Sequence, residues 1–266
     1  MRRLVFDRLL IGVGVLLCAV LSGACAQPQP QDGAGADGGA AATAAALAEF
    51  KQRSPAIIAA YMQQPGLKKL QIGAGSSRLP GWLNTDIEPG DGLAYVDATQ
   101  PFPFEDGSLN YIFSEHVIEH LTYDEGKAMV AEAFRVLAPG GRMRVATPDL
   151  QRFIDLFAET PNEEAKAYIV GKRQWHNWPD EPNAPAIILN LQMSSWGHKF
   201  MYDAPTLIGV LTRAGFQDAR TWEENMSDDE QLRNLEGRDT GVNKRWSEYE
   251  TMSIEAGKPM VSTSRD

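Results

Sequence analysis

Two short stretches of this chain carry residue types at spacings that could do chemistry. In "HVIEH", His116 and His120 enclose Glu119 in the order H-x-x-E-H. On one helical face such a pair of imidazoles binds zinc while the carboxylate activates water, which is the chemistry of a metal-dependent hydrolase. In "LQIGAGSS", residues 70–77, an apolar run breaks into Gly73-Ala74-Gly75. Glycines lack a Cβ and let a backbone approach a nucleotide-like ligand closely. Two aspartates follow, Asp86 and Asp97, each at the end of an apolar stretch. A carboxylate is acceptor-only and can accept from two donors at once. Residues 33–39, "GAGADGG", match the dinucleotide pattern G-x-G-x-x-G more fully, with Gly33, Gly35 and Gly38, but they follow "QPQPQD" and no strand feeds them. Without a strand to aim the turn, the pattern has no physical meaning.

The elements that must position these residues begin at about residue 67. Strands are expected over 67–72, 82–87, 94–97, 109–114 and 142–147, and late strands over 217–222 and 249–256, alternating with helices as in a layered α/β domain. The best-specified helix opens on the capping box Thr122-x-x-Glu125, places Met129, Ala133, Val136 and Leu137 on one face, and stops at Pro139-Gly140-Gly141. A second runs from Asp203, with Pro205 in its first turn, to Gly215. Between Gly75 and Leu83 the chain is short for a parallel crossover, and Pro80-Gly81 limits any helix there to one turn. The same context weakens the metal motif. "HVIEH" directly follows an apolar strand, the Thr122 cap leaves it barely one turn, and no downstream acid stands out as third ligand. Its histidines are expected in the core or beside a cofactor, with no metal site.

Taken in order, "LQIGAGSSRLPGWLNTDIEP", "YVDATQPFPFEDGSLNYIFSEHVIEHL", "AFRVLAPGGRMRVATPD", "HKFMYDAPTLIGVLTRAGF" and "YETMSIEAGKP" resemble the class I, Rossmann-like methyltransferases that depend on S-adenosylmethionine (SAM). The "LPGW" stretch is similar to a variant within the methyltransferase type 11-like group. The resemblance covers about residues 66–258 and implies a doubly wound, mostly parallel seven-stranded sheet with helices on both faces. It implies that Gly73, Ala74 and Gly75 turn against the cofactor's methionine and ribose, that Asp86 accepts from the ribose hydroxyls with Ile87 beside it, and that Asp97 and Ala98 hold the adenine. It places Ser114 and Glu115, with His116, at the sulfonium end. The chain departs from the family at Gln71, where an acid is usual, and at Ser77, where a third glycine is usual. Asp86 and Asp97 could instead cap their own turns, as aspartates do, but their occurrence in register favours the cofactor roles. Residues 159–202 form an insertion that in the family covers the acceptor, so Trp175, His176, His198 and Tyr202 are candidates for contact, and His116, His198 and Tyr202 for a catalytic base.

Charge and termini narrow the partners. A net charge of −10 argues against nucleic acid, whose binding needs a basic surface. Arg2, Arg3 and Arg8 precede the apolar run 9–21 and the small residues 22–26, which reads as a signal peptide. Cleavage after Ala26 would release the chain; processing before Cys25 would lipidate it and attach it to a membrane. Both cysteines, Cys18 and Cys25, lie in this leader, so the body has no disulfide and no thiol nucleophile. Residues 27–48 read as a Gly/Ala/Pro-rich flexible linker, 49–65 as a helical segment interrupted near Pro55, and 259–266 as a tail. The expected protein is a cell-envelope SAM-dependent methyltransferase acting on a small-molecule or envelope acceptor. A mis-set start codon would make it cytoplasmic. The alternatives are an exported zinc hydrolase using His116, Glu119 and His120, and a catalytically silent binding module of the same fold.

Overall fold

The computed structural model describes residues 36–178, 180–237 and 242–260. The expected leader, with Cys18 and Cys25, lies outside the described residues. Helix α1, Ala36–Met62, draws on the alanine tract, alanine being the strongest helix former. It covers residues 36–48, which the composition predicts as a flexible linker, and it runs on through Pro55. A proline removes one intrahelical hydrogen bond, but the buried neighbour Ser54 anchors that turn. Its Oγ donates to the Phe50 carbonyl at 2.6 Å and accepts from the Tyr95 backbone N–H at 2.7 Å.

Seven strands follow: β1 (Lys69–Ile72), β2 (Leu83–Asp86), β3 (Ala94–Tyr95), β4 (Leu109–Glu115), β5 (Leu137–Pro148), β6 (Gln217–Trp222) and β7 (Thr251–Gly257). They form one sheet in the order β3-β2-β1-β4-β5-β7-β6, with β7 antiparallel to both neighbours and the other pairs parallel. This is the expected Rossmann-like α/β sheet. Its order reverses between β1 and β4, and ligands of such sheets bind at the strand ends beside that point.

Strand alternation sorts the side chains by face. Leu70, Leu83, Ile112 and Met143 are in register and pack, all buried, with Met129, Val130 and Ala133 of α2 (Tyr123–Val136) and Leu207, Val210 and Leu211 of α6 (Ala204–Ala214). Both halves of the Thr122–Glu125 capping box are present, and Gly215 ends α6 at φ 108°. Helix α2 stops at Val136, earlier than Pro139-Gly140-Gly141 suggests, because Leu137 already belongs to β5 and pairs with Leu109.

On the opposite face, Trp82 packs edge-on against Phe113 at 6.4 Å, with Leu232 and Leu235 beside them. The crossover from β1 to β2 stays parallel without a helix. Its loop folds on Asn84, whose side chain bonds Leu79 N–H and the Leu79 and Trp82 carbonyls. Residues 223–237 lie over the same face, fastened by Arg144. That side chain is fully buried and donates to Glu236 Oε1 at 2.5 Å, Glu255 Oε1 at 2.6 Å and the Met226 carbonyl at 2.8 Å.

The insertion contains α4 (Glu163–Trp175) and α5 (Ala184–Ser194). With α3 (Leu150–Asp155) and α7 (Val242–Glu250) it builds a second core around Phe153, Tyr168, Ile188 and Tyr249. Residues 249–250, expected in the last strand, close α7 instead.

Candidate functional site at the carboxyl ends of the strands

The turn after β1 is built for close backbone approach. Gly73 and Gly75 have φ of 68° and 53°, a region open to glycine and strained for other residues. A Cβ on Gly73 would overlap Val117 Cγ2, so the turn after β1 is in contact with the segment after β4. A Cβ on Gly75 would meet nothing within 4 Å. Ala74 is buried and its N–H donates to the Thr85 carbonyl at 2.9 Å.

Asp86 ends β2. Its Oδ2 accepts from the Gly75 N–H at 2.8 Å and its Oδ1 from the Glu88 N–H at 3.0 Å. The carboxylate thus caps its own turn and braces the glycine turn, and each oxygen keeps a further lone pair for a ligand hydroxyl. Ile87 is 55% exposed, an apolar surface beside that carboxylate. Asp97 likewise caps its turn: Oδ1 accepts from Thr99 N–H at 2.9 Å and Thr99 Oγ1 at 2.7 Å, and Oδ2 from Tyr95 Oη at 3.4 Å. Ala98 is buried next to it. A groove of about 640 Å³ between α1 and the loop through Pro101 and Phe104 reaches this site only at Asp97.

Two buried polar atoms at the level of the glycine turn have no hydrogen-bond partner among the described residues, Gln71 Oε1 and Ser114 Oγ. Ser114 pairs in register with Ile72, the neighbour of Gln71, so the two side chains leave opposite faces of adjacent strands and flank the turn. A buried polar group without a partner costs free energy. Two such groups beside a glycine turn that opens onto free space fit a polar ligand that supplies the missing partners. The expected SAM site is therefore consistent with the residues present, including Gln71 in place of the usual acid. Glu115, also buried, completes the β4 end.

The residues after β4 separate into two groups. His116 sits at φ 51°, a strained position for a side chain of its size. Its Nδ1 is 2.8 Å from Glu119 Oε1 and its Nε2 is 3.3 Å from Thr251 Oγ1. Glu119 is fully buried and its Oε2 accepts from Thr147 Oγ1 at 3.0 Å. Burial pushes the Glu119 carboxyl up, but the hydrogen bond and charge of His116 and the charge of His120 outweigh it and hold the group below its usual range. His120 turns elsewhere, with its ring 4.9 Å from that of His198. At the short 3-10 turn Ile118–His120, His116 thus meets Glu119 while the His120 ring meets His198.

The insertion candidates divide as well. Tyr202 is fully buried in the main core between Tyr123 and Phe200, against Gly126. Burial first, then Tyr123 and Glu119, push its hydroxyl up to about 12. Its phenol is thus held protonated and packed away from solvent. His176 stacks on Trp178 at 4.3 Å, and Trp175 is 53% exposed. The structure also brings in Thr147 and Thr251, which carry no motif and which only the tertiary fold could reveal.

Residues 88–145 match the family described as "Methyltransferase domain". No curated protein matches the chain. Among solved structures, similarity is found to Haemonchus contortus phosphoethanolamine N-methyltransferase 2 in complex with S-adenosyl-L-methionine, at 17% identity and a TM-score of 0.38 over 79% of this chain and 53% of that one. The chain thus spans about half the length of that protein. A SAM dependent methyltransferase from Archaeoglobus fulgidus is similar at 16% identity and a TM-score of 0.43, over 80% of this chain and 94% of that one. An S-adenosylmethionine dependent methyltransferase from Mesorhizobium loti is similar at 14% identity and a TM-score of 0.44, over 77% and 97%.

Proposed function

We propose that this chain is a class I SAM-dependent methyltransferase of the "LPGW" variant, acting on a small-molecule or envelope acceptor. The observation that carries the reading is the pair of partnerless buried atoms, Gln71 Oε1 and Ser114 Oγ, flanking a glycine turn that Asp86 braces from the next strand. SAM supplies a methyl group on a positively charged sulfur. The chain's own residues bind and orient. Gly73, Ala74 and Gly75 let the backbone close on the methionine part, Asp86 accepts from the ribose hydroxyls, Ile87 packs on the base, and Asp97 with the Ala98 N–H reads its edge. Ser114 and the acidic Glu115 face the cationic end. Methyl transfer needs alignment above all. Where the acceptor must lose a proton, His116 is placed to take it at Nε2, because Glu119 accepts at Nδ1 and fixes that tautomer. His198, bonded through Nδ1 to the Gln192 carbonyl at 2.6 Å, lies on the insertion side.

Calorimetry with the full chain tests the reading. S-adenosylhomocysteine should bind one per chain, and Asp86→Ala should weaken it by about a hundredfold, the loss of two hydrogen bonds to a charged acceptor. Absence of binding by the parent, or equal binding by the variant, removes the proposal. The leader supports placement in the cell envelope, released or held by a lipid on Cys25. Fractionation of a tagged full-length protein with mass analysis of its N-terminus should find it there; recovery in the cytoplasm with residues 1–26 intact overturns the placement. The bond of His116 to Glu119 argues against the hydrolase built on "HVIEH".

A further inference from the structure

Outside the proposed cofactor site, Glu119, His120 and His198 each offer a ligand atom, and these atoms lie within 4.8 Å of one another. The backbone brings them together, since Lys199 and Phe200 N–H donate to the Glu119 carbonyl at 2.7 and 3.2 Å. Gly197, at φ 80°, lies beside His120 Nδ1. The His198 ring has a fixed tautomer. Its Nδ1 is 2.6 Å from the Gln192 carbonyl oxygen, which can only accept, so Nδ1 carries the proton and Nε2 keeps its lone pair. Metal-binding histidines are held in this way by their second nitrogen. The neighbouring cation does not fill the cluster, because Lys199 Nζ turns to Glu125 Oε2 at 3.4 Å.

We propose that Glu119, His120 and His198 form a site for a divalent transition-metal ion of the zinc class. Two imidazoles and one carboxylate suit zinc, whereas magnesium and calcium take oxygen ligands. An ion about 2.1 Å from each ligand holds them about 3.4 Å apart, so atoms now within 4.8 Å of one another close by up to about 1.4 Å through rotation of side chains. Each Glu119 oxygen accepts one bond, from His116 or Thr147, and a carboxylate has about four acceptor sites in all. His116 therefore orients the carboxylate, and His198 takes the place that the "HVIEH" motif would give to His116. The ion ties the end of the insertion to the segment after β4, and three protein ligands leave a fourth position for water or a substrate atom. None of the three ligands is among the residues proposed to hold SAM.

Zinc titration of the chelator-treated full chain by calorimetry, with cobalt absorbance as a second readout, tests this. One ion should bind per chain, with a visible cobalt band from nitrogen and oxygen ligands. His120→Ala and His198→Ala should each weaken binding at least a hundredfold. His116→Ala should weaken it about tenfold with stoichiometry kept, as loss of an orienting partner does. His176→Ala should change nothing. His198→Cys, which retains a zinc ligand, should bind and so separate lost ligation from lost folding. Absence of stoichiometric binding by the parent, unchanged affinity in His198→Ala, or loss of binding in His176→Ala overturns the proposal.

Discussion

Glu224 is a carboxyl whose charge this fold opposes. Burial, then the carboxylates of Glu248, Glu236 and Glu115, push it up to about 7 from an ordinary value of 4.5, with Lys244 opposing. Its Oε2 is buried with no hydrogen-bond partner among the described residues. Between those two pH values the folded chain holds a proton that the unfolded chain has released, so stability falls as pH rises from 4.5 to 7 and is level above. Glu224→Gln should remove that slope and stabilise the protein at pH 8 by on the order of 1 kcal/mol, once solvent screening is allowed for. Thermal melting at pH 5 and pH 8 reads it; a parallel slope in the variant would refute the assignment. At this scale Asp86 and Asp97 were legible because each ends an apolar run, and the structure shows both capping their own turns. The burial of Tyr202 was not legible, because only the tertiary fold turns it against Gly126 and away from solvent.

At the scale of elements, Gly73 couples the β1 turn to the segment after β4. Gly73→Ala introduces a positive φ penalty and an overlap with Val117, together about 2–3 kcal/mol. Adding Val117→Ala should relieve the overlap and leave about 1 kcal/mol of backbone strain. Urea unfolding of the two variants measures the difference, and strictly additive losses would show that the contact is not the cause. Strands and the capping box were readable because periodicity and caps are local. Residues 223–237 were not, since "EENMSDDEQLRNLEG" has no period and is placed by Arg144 from a strand far away in sequence. Helix α1 was cut short in the sequence reading because glycines and a proline among alanines signal a linker, whereas docking on Tyr95 through Ser54 favours the helix.

For the whole molecule, α2 and α6 cover one face of the sheet, and a clasp fastens the segment 223–237 on the other. Arg144 bridges Glu236 and Glu255 out of water, and removing it would leave Glu236 with hydrogen bonds but no cation among the described residues and Glu255 with Arg142 alone, at 3.4 Å. Arg144→Ala should cost about 3–5 kcal/mol in urea unfolding. Arg144→Met with Glu236→Gln and Glu255→Gln should cost less, and equal losses would mean that packing, not charge, is responsible. Among the described residues no helix is long and apolar enough to cross a membrane, so the proposed attachment rests on the leader alone.

That clasp also sets an order of events during synthesis. Trp82 and Phe113 leave the ribosome well before Leu232, Leu235 and Glu255 exist. Until the last strand is made, the nascent sheet shows an aromatic face with nothing to cover it. An uncovered aromatic face of this kind is open to association with other apolar surface until the chain is complete.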